Sequence, residues 1–400
     1  MSASQPTSAR PRVVVITGAS SGNGRATALA FAREGASLVL AARGAAALAD
    51  VTAVCEALGS EVVVQVLDVR NSGAVELLGT VAIERFGRID VWVNNAGVLQ
   101  YGRFDETPAE VAENVIRTNL FGYMNGARVA LRHFRDRGRG TLINVSSILG
   151  EIGHPYTAAY VASKFAIRGL TESLRAEVRD QPHVHVCTVL PAAIDTAIYQ
   201  HAANYTGHAV SPIWALYPPE VVARAVLDLA RRPRREIFAG SYGRVAVAGR
   251  RIAPALTEHA VRLAADLMEV GDHLAPITTG NLETPIDDGH RADGGWRRHY
   301  RRRGRAAAIT GPRRHCGARR SGIRLAVGSP CEQTLTYHLE SWSRTLLRVI
   351  SAVPINTTGG KAHSRRTLDR APLTSRSGLR GSPPAGAYMY QRRSISTGLS

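Results

Sequence analysis

The sequence predicts an α/β fold, a doubly wound parallel sheet of about seven strands with helices on both faces. Short apolar, β-rich runs alternate with longer Ala-, Leu- and Arg-rich stretches of helical period over about 240 residues. Strand cores such as VVVI, LVLAA and VVVQV are apolar without alternation. This is typical of strands that are buried on both faces of a parallel sheet.

The individual elements follow from these runs. The predicted strands are residues 12–17, 37–42, 61–67, 90–94, 141–145, 184–190 and 235–239. Helices are predicted between them, for example at 24–34, 72–86, 119–137, 158–180 and 219–231. Apolar residues at helical spacing predict one more helix at 252–270.

Four segments are expected along the chain. Residues 1–11 form a flexible N-terminus, 12–245 the α/β domain, and 246–300 a helical extension and linker. Residues 301–400 form a basic tail without sustained period, which we expect to be disordered. Within it, residues 339–353 have the pattern of a short basic amphipathic helix.

The net charge of +18 belongs to the C-terminal part of the chain. Residues 297–400 hold 21 Lys or Arg and 3 Asp or Glu, whereas residues 1–296 hold 29 of each kind. The tail therefore favours non-specific attraction to nucleic acid or to an anionic membrane surface. It has no nucleic-acid-binding motif, so no specific nucleic acid binding is expected, and a tail without function is the favoured alternative.

Cysteine usage and hydropathy predict the compartment. Cys55, Cys187, Cys316 and Cys331 show no CxxC spacing, so we expect reduced thiols, two of them in the core, and no metal site. No apolar run reaches about 18 residues, so no membrane span is expected. The N-terminus lacks the pattern of a signal peptide, and the prediction is a soluble cytoplasmic protein.

The stretch ITGASSGNG ends the first strand and begins a helix. Its glycines, Gly18, Gly22 and Gly24, allow a tight turn and let the backbone approach a pyrophosphate that faces the free N–H groups of the helix. The hydroxyls of Thr17, Ser20 and Ser21 can add contacts. A plain glycine-rich strand-to-helix turn is the alternative.

The second strand ends in Ala42 and Arg43, without the carboxylate that usually binds an NAD ribose. A guanidinium suits a 2′-phosphate, so Arg43 indicates NADP(H), with Arg25 as a weaker second candidate. The alternative is a solvated surface arginine. Asp68, after the third strand, is a candidate for the adenine amino group or for a helix cap.

Lys164 is one of only two lysines in the chain, the other being Lys361. It lies four residues after Tyr160 in a helical pattern, so the two side chains share one face. A nearby ammonium favours the phenolate, which would make Tyr160 a usable general acid or base. An arginine would be bulkier and unable to pass on a proton, although a chance pairing is the alternative.

Polar side chains follow two more strands at the same predicted edge of the sheet. Ser147 ends the strand at 141–145, and its hydroxyl can hold a substrate carbonyl oxygen. Asn94, Asn95 and Gly97 end the strand at 90–94. Ligands of parallel sheets bind at this edge.

Together these motifs resemble the short-chain dehydrogenase/reductase family over residues 11–245. The matching stretches are TGASSGNG, NNAG, RTNLFG, NVSS and YVASK, in the family's order and spacing. The resemblance implies a Rossmann-like fold and an NADP(H)-dependent oxidoreductase that acts on CH–OH or C=O groups. It also implies a homo-oligomer.

The resemblance implies a catalytic tetrad of Asn119, Ser147, Tyr160 and Lys164. Tyr160 would exchange a proton with the substrate oxygen while hydride passes between NADP(H) and carbon. Ser147 would orient the carbonyl, and Lys164 would lower the pKa of Tyr160 and contact the nicotinamide ribose. Asn119 would hold a water that relays protons to Lys164.

The resemblance also assigns cofactor contacts beyond the tetrad. These are Gly18, Ser20, Ser21, Gly22, Gly24, Asp68, Asn95, Gly97, Pro191, Ile194 and Thr196, with Tyr160 and Lys164 at the nicotinamide end. Arg43 joins them on the argument from its charge. Two positions depart from the family pattern: Asn23 replaces a usually apolar residue, and Ala192 replaces the glycine of a Pro-Gly pair.

The stretch 197–218 is rich in Tyr, His and Trp and lies where this family builds its substrate lid. These residues indicate a site for a bulky, apolar carbonyl or alcohol as the small-molecule substrate. The alternative is that the aromatic side chains only anchor the loop to the rest of the domain. The alternative function is a non-catalytic NADP-binding sensor or scaffold whose basic tail contacts nucleic acid or anionic surfaces.

Overall fold

The computed structural model of the protein describes residues 11–213, 215–286 and 288–301. The predictions for the N-terminus before residue 11 and for the basic tail fall outside these residues. The same holds for the helix predicted at 339–353 and for Cys316 and Cys331.

Eleven strands and nine α-helices are present in the described residues. The strands are β1 Val13–Thr17, β2 Ser37–Ala42, β3 Val62–Val66, β4 Val91–Asn94, β5 Gln100–Tyr101, β6 Gly140–Val145, β7 Val184–Pro191, β8 Ala203–Asn204, β9 His208–Val210, β10 Glu236–Ala239 and β11 Val270–Leu274. The helices are α1 Gly22–Ala32, α2 Ala45–Ala57, α3 Ser72–Phe86, α4 Ala109–Ile116, α5 Gly122–Arg137, α6 Ala158–Glu177, α7 Glu220–Arg231, α8 Ser241–Ile252 and α9 Pro254–Ala264. π-Helical turns lie at Arg117–Phe121 and Ala265–Glu269, and a 3₁₀ turn lies at Ile148–Gly150.

Seven of these strands form one parallel sheet in the order β10-β7-β6-β4-β1-β2-β3. They are the seven strands predicted from the sequence, and their bounds agree to within about two residues. Strand order reverses between β1 and β4, so a crevice opens at their carboxyl ends, where ligands of such sheets bind.

Helices cover both faces of the sheet, which confirms the doubly wound fold. On one face, α1, α2 and α7 bury apolar residues such as Phe31, Leu48 and Val226. On the other face, α3 and α5 bury Leu78 and Phe134 against the sheet. Burying one such side chain stabilises the fold by about 1.5–3 kcal/mol.

β3 differs from the prediction that its residues are buried on both faces. It is the edge strand, and Val64 and Val66 are 40% and 55% exposed. An uninterrupted apolar run cannot distinguish a central strand from an edge strand, because strand order depends on distant parts of the chain.

A buried network of polar side chains joins the sheet to α5 and α6. The Trp92 indole donates to Asn94 Oδ1 (2.8 Å), and Asn94 Nδ2 donates to Asn144 Oδ1 (3.0 Å). Asn144 Nδ2 donates to Thr171 Oγ1 (2.9 Å), and the Thr171 hydroxyl donates to the Ile167 carbonyl. Each amide thus has partners at both ends, as buried polar groups require.

The C-terminal extension differs from its prediction in two ways. The expected helix at 252–270 is broken: α8 begins earlier, Ala253 separates it from α9, and the π-helical turn ends at Glu269. β11 then pairs antiparallel with β9, so the extension is joined to the stretch 197–218.

The expected linker at the end of this extension packs on the α/β domain. The backbone N–H groups of Trp296 and Arg297 donate to the two carboxylate oxygens of Asp195 (3.0 and 3.1 Å). The Gly22 N–H donates to the Arg291 carbonyl (3.1 Å). Its glycine- and charge-rich composition predicted a linker because it carries no periodic apolar pattern.

The cysteines, the hydropathy of the helices and the possible metal ligands relate to the predicted compartment and metal content. Cys55 and Cys187 are free and buried. Among the described residues, no helix is long and apolar enough to cross a bilayer, and no cluster of three His, Cys, Asp or Glu residues has metal-binding geometry. The cytoplasmic location and the homo-oligomer stay predictions.

The buried network predicts a large stability effect at Asn144. Replacing Asn144 with Val removes a partner from Asn94 and from Thr171, so the free energy of unfolding should fall by about 2–3 kcal/mol. Urea unfolding measures the change. Thr80→Val, which alters an exposed threonine of α3, is the matched control and should change stability by less than about 0.5 kcal/mol. Equal stability of the two variants would contradict a stabilising role for the network.

Candidate active site

Two adjoining cavities lie at the carboxyl ends of the strands. The first, of about 170 Å³, includes the glycine turn, and the second, of about 250 Å³, includes Ser147 and Tyr160. Asn95 and Thr196 are among the residues that line both, so the two form one cleft. A larger depression of about 1250 Å³ near Arg12 and Asp90 contains none of the predicted site residues.

The glycine turn has the close backbone approach that its sequence predicts. Gly18 has φ +66°, and a Cβ on Gly24 would lie 2.0 Å from the Gly18 carbonyl oxygen. The Asn95 amide donates to the carbonyls of Thr17 and Gly18 (both 3.1 Å), which ties the end of β4 to the turn. Gly24 therefore allows the backbone of the turn to pack closely on itself. Gly18, Ser20, Ser21 and Gly22 line the cavity.

Arg43 lines the same cavity, but it is not the free surface arginine considered as the alternative. Its guanidinium donates to the carbonyls of Leu282 and Glu283 (both 3.1 Å) and of Asn281. Burial lowers the pKa of Arg43 below its ordinary value. The C-terminal extension thus contacts the cation that was assigned to a 2′-phosphate, and through Arg291 it also contacts Gly22.

Asp68 lines the first cavity, and its carboxylate accepts from the Arg70 backbone N–H and from Arg70 Nε (both 2.8 Å). Burial alone would raise the pKa of Asp68, but the Arg70 hydrogen bonds and charge hold it below its ordinary value. The helix-cap alternative is wrong, because Asn71 caps α3.

Arg25, the weaker phosphate candidate, forms an ion pair with Asp50.

Ser147, Tyr160 and Lys164 meet in the second cavity. Tyr160 and Lys164 share a face of α6, as their i, i+4 spacing requires. The Ser147 side chain lies close enough to the Tyr160 hydroxyl to affect its pKa, and it accepts from the Leu149 N–H (3.1 Å). Lys164 Nζ donates to the Val145 carbonyl (3.1 Å) and lies 5.4 Å from the centre of the Tyr160 ring.

The pKa values of this pair differ from the expectation that Lys164 lowers the pKa of Tyr160. Burial raises the pKa of Tyr160 to about 12, although the Ser147 side chain opposes the shift. Burial lowers the pKa of Lys164 from 10.5 to about 7. Each group is desolvated, and desolvation favours the neutral form of both.

Asn119 lies in the π-helical turn, fully buried behind the cavity. Its Oδ1 accepts from the Val98 N–H (2.8 Å), and its Nδ2 donates to the Val98 carbonyl (3.0 Å) and to Ser163 Oγ (3.1 Å). Its carboxamide thus contacts Val98 and Ser163 and not Lys164, and the water relay expected from the family stays a prediction.

The remaining predicted cofactor residues lie around the junction of the two cavities. Gly97 lines both, and Pro191 and Ile194 line the second. Of the two departures, Ala192 lines the second cavity, and Asn23 lines both. Asn23 Oδ1 is buried without a hydrogen-bond partner. An unpartnered buried acceptor at this junction fits a ligand that donates a hydrogen bond.

The sequence reasoning missed the part of the C-terminal extension that lines the first cavity. Asn281, Pro285, Ile286 and His290 belong to it. No local motif marks these residues. The stretch 197–218 was expected either to line a substrate site or to anchor its loop, and its aromatic residues do both. Tyr199 lines the second cavity, whereas Tyr217 packs against the core.

The residues present fit a dinucleotide. The turn between β1 and α1 places backbone N–H groups at a helix N-terminus, where, among the described residues, only the Gly22 N–H is bonded to the extension, and glycine at position 24 allows the close packing of the turn. Arg43 supplies a cation near the end of β2, where a ribose 2′ position is read in such folds. Ile194 and Thr196 lie at the junction with Tyr160 and Lys164.

The buried ammonium of Lys164 predicts a pH-dependent stability. Below pH 7, Lys164 is protonated in both states and its full burial cost is present. Between pH 7 and 10.5 the unfolded chain binds more protons, so stability rises with pH.

A Lys164→Met variant lacks this cost and should be the more stable protein at pH 6–7, by on the order of 3 kcal/mol. Its advantage over the wild type should shrink by about 2 kcal/mol from pH 7 to pH 9. Urea unfolding of both proteins at several pH values measures this. A difference that is independent of pH would show that the pKa of Lys164 is not lowered.

Comparison with known proteins supports one family. The family model described as short chain dehydrogenase matches residues 12–205. The chain is 36% identical over 282 residues to the uncharacterized oxidoreductase YxnA of Bacillus subtilis, covering 70% of this chain and 78% of that protein. It is 33% identical over 237 residues to the putative oxidoreductase SadH of Mycobacterium tuberculosis, covering 57% and 86%.

Solved structures agree on the fold. An alcohol dehydrogenase from the archaeon Thermococcus sibiricus, complexed with 5-hydroxy-NADP, is 31% identical with a TM-score of 0.50, covering 57% of this chain and 96% of that one. A short-chain dehydrogenase/reductase from Burkholderia phymatum in complex with NAD is 26% identical with a TM-score of 0.55, covering 66% and 98%. With its seven-stranded parallel sheet, glycine turn and Ser147, Tyr160 and Lys164 in one cavity, the chain belongs to the short-chain dehydrogenase/reductase family of oxidoreductases.

Proposed function

We propose that this protein is an NADP(H)-dependent oxidoreductase that interconverts a carbonyl and an alcohol on a bulky, largely apolar small molecule. The observation that carries the proposal is the meeting of Ser147, Tyr160 and Lys164 in a cavity that joins the glycine-turn cavity. Three members of the expected tetrad in a cavity of ligand size favour an enzyme over a non-catalytic sensor or scaffold.

Tyr160 acts as the general acid in carbonyl reduction and as the base in the reverse direction. A bound nicotinamide supplies or accepts the hydride. With its pKa raised to about 12, Tyr160 is protonated at neutral pH and has a proton to give to the substrate oxygen. Ser147, which lines the same cavity as Tyr160, holds that oxygen in place.

Lys164 holds or passes a proton near neutral pH. Its pKa of about 7 lies close to the working pH, which suits a group that exchanges protons in each turnover. Arginine in its place stays charged and cannot do this. This is the reason we offer for a lysine at position 164 in a chain that otherwise uses arginine.

Arg43 is the proposed contact for the 2′-phosphate of NADP(H). Its present partners are neutral carbonyls of the extension, and a phosphate is a stronger acceptor because it is charged. The alternative is a structural role, in which Arg43 only holds the C-terminal extension through its hydrogen bonds. In that case the enzyme would use NAD(H) as well as NADP(H).

Replacing Tyr160 with Phe should lower kcat by at least about a thousandfold, because the proton donor is lost, while the Kd of NADPH changes less than about threefold. The assay follows NADPH oxidation with a panel of bulky ketones and aldehydes. Tyr156→Phe is the matched control, since the Tyr156 hydroxyl contacts Asp266 and not Ser147. If Tyr160→Phe kept most of the wild-type kcat, Tyr160 would not be the acid.

Fluorescence titrations with NADPH and NADH test the role of Arg43 without a known substrate. We expect the wild type to bind NADPH at least about tenfold more tightly. Arg43→Ala should weaken NADPH binding about tenfold or more and leave NADH binding within about threefold. Arg25→Ala, the control at an arginine already paired with Asp50, should change neither. An equal loss for both dinucleotides in Arg43→Ala would assign Arg43 to the extension and not to the phosphate.

A further inference from the structure

The second cavity has a polar group that the proposed reaction does not use. Most of its lining is apolar and includes Leu99, Val145, Ile152, Ile198 and Val261. Tyr101, His154 and Glu269 also line it and form a hydrogen-bonded cluster. We call these three residues the Glu269 cluster.

Glu269 lies at the centre of this cluster. Its Oε1 lies 3.1 Å from His154 Nε2, and its Oε2 accepts from the Tyr101 hydroxyl at 3.2 Å. The side chains of His154 and Glu269 are only 10% and 9% exposed, and Tyr101 is 2% exposed. A buried carboxylate needs such partners, because an unpaired one is costly.

The hydrogen bonds determine the protonation of the cluster. His154 Nδ1 lies 2.8 Å from the Pro155 carbonyl, which can only accept, so Nδ1 carries a proton. Nε2 lies beside a carboxylate oxygen of Glu269, and a proton on Nε2 makes this contact a charge-assisted hydrogen bond. In agreement, the Glu269 hydrogen bond and charge raise the pKa of His154, although its burial alone would lower it.

Tyr101 remains a phenol in this cluster. Burial and the charge of Glu269 both raise its pKa well above the ordinary value. The phenol therefore donates to Glu269.

The carboxylate retains capacity for another donor. Two oxygens offer about four lone-pair sites, and His154 and Tyr101 use two of them. The position of Glu269 is also held from outside the cluster. The Ser211 N–H donates to the Glu269 carbonyl (2.9 Å), and the Ser211 hydroxyl donates to the Met268 carbonyl (3.0 Å). The acceptor is thus fixed in place by the pairing of the extension with the stretch 197–218.

From this geometry, and resting on the proposed function, we propose that the Glu269 cluster is a substrate subsite for a hydroxyl group. The substrate then has a reacting carbon at Ser147 and Tyr160, an apolar skeleton, and a second hydroxyl that donates to Glu269. A substrate carboxylate would meet the Glu269 carboxylate and be repelled. A substrate ammonium would place a second cationic group beside His154, whose pKa the same carboxylate raises.

The test uses matched linear methyl ketones of about six to ten carbons, chosen for a cavity of this class. At each length, the far end carries a hydroxyl, a methyl group or a carboxylate. Two quantities are measured for each ketone: kcat/KM with NADPH, and Kd in the presence of NADP⁺, with which a ketone does not react. The second gives a result even where no turnover occurs.

The wild type should favour the best hydroxyketone over its parent ketone by at least about tenfold in Kd and kcat/KM, and it should disfavour the keto acid. Glu269→Gln keeps the shape but removes the charge. It should reduce the preference for the hydroxyl at least about fivefold and relieve the penalty on the keto acid about tenfold. Asp266→Asn, a carboxylate in the same π-helical turn that is exposed and paired with Arg262, is the matched control and should change neither ratio.

Equal Kd values for the three ketones in the wild type would overturn the subsite. So would a preference that Glu269→Gln leaves unchanged, since the cluster would then only fasten the extension. If the expected order of Kd values holds but no ketone supports NADPH oxidation, the subsite stands and the proposed reaction fails.

Discussion

The docking of α6 on β6 is the constraint on which the candidate site depends. Ser147 follows β6, whereas Tyr160 and Lys164 lie on α6, so their geometry is set by how these two elements pack. Three buried hydrogen bonds fix that packing: Asn144 to Thr171, the Ser146 hydroxyl to the Lys164 carbonyl (2.9 Å), and Lys164 Nζ to the Val145 carbonyl. Each of these bonds is satisfied within the protein, so a shift of α6 would leave buried polar groups unpaired.

Two large and opposing effects meet at Lys164. Its burial costs on the order of several kcal/mol as an ammonium, whereas its hydrogen bond to Val145 returns about 1 kcal/mol. Burial therefore wins, and the group loses its proton near pH 7. Desolvation also raises the pKa of Tyr160. At neutral pH the Tyr160 phenol is therefore protonated, whereas the Lys164 amine can gain or lose a proton.

The C-terminal extension contributes to both cavities. Asn281 contacts Arg43 in the first, and Glu269 lies in the second. The extension is held by main-chain pairing of β11 with β9 and by the bonds of Asp195 with the backbone at Trp296. Both cavities thus include residues that lie beyond residues 12–205, the segment matched by the family model.

Much of the fold could be predicted from the sequence, because its signals are local. Buried parallel strands require apolar runs, and the turn between β1 and α1 requires glycine at positions 18 and 24, so both features are visible in a few residues. The i, i+4 spacing likewise determined that Tyr160 and Lys164 share a helix face. The candidate tetrad and the glycine turn follow from such patterns together with the family resemblance.

Only the tertiary structure decided the rest, because it depends on contacts between distant segments. The edge position of β3, the partners of Arg43 and the Glu269 cluster join residues that are far apart in the chain, and no local pattern encodes them. The pKa values of Tyr160 and Lys164 also depend on burial, which their spacing does not specify. The sequence by itself determined which residues could perform the chemistry, and packing decided their pKa values and which other side chains line the same cavity.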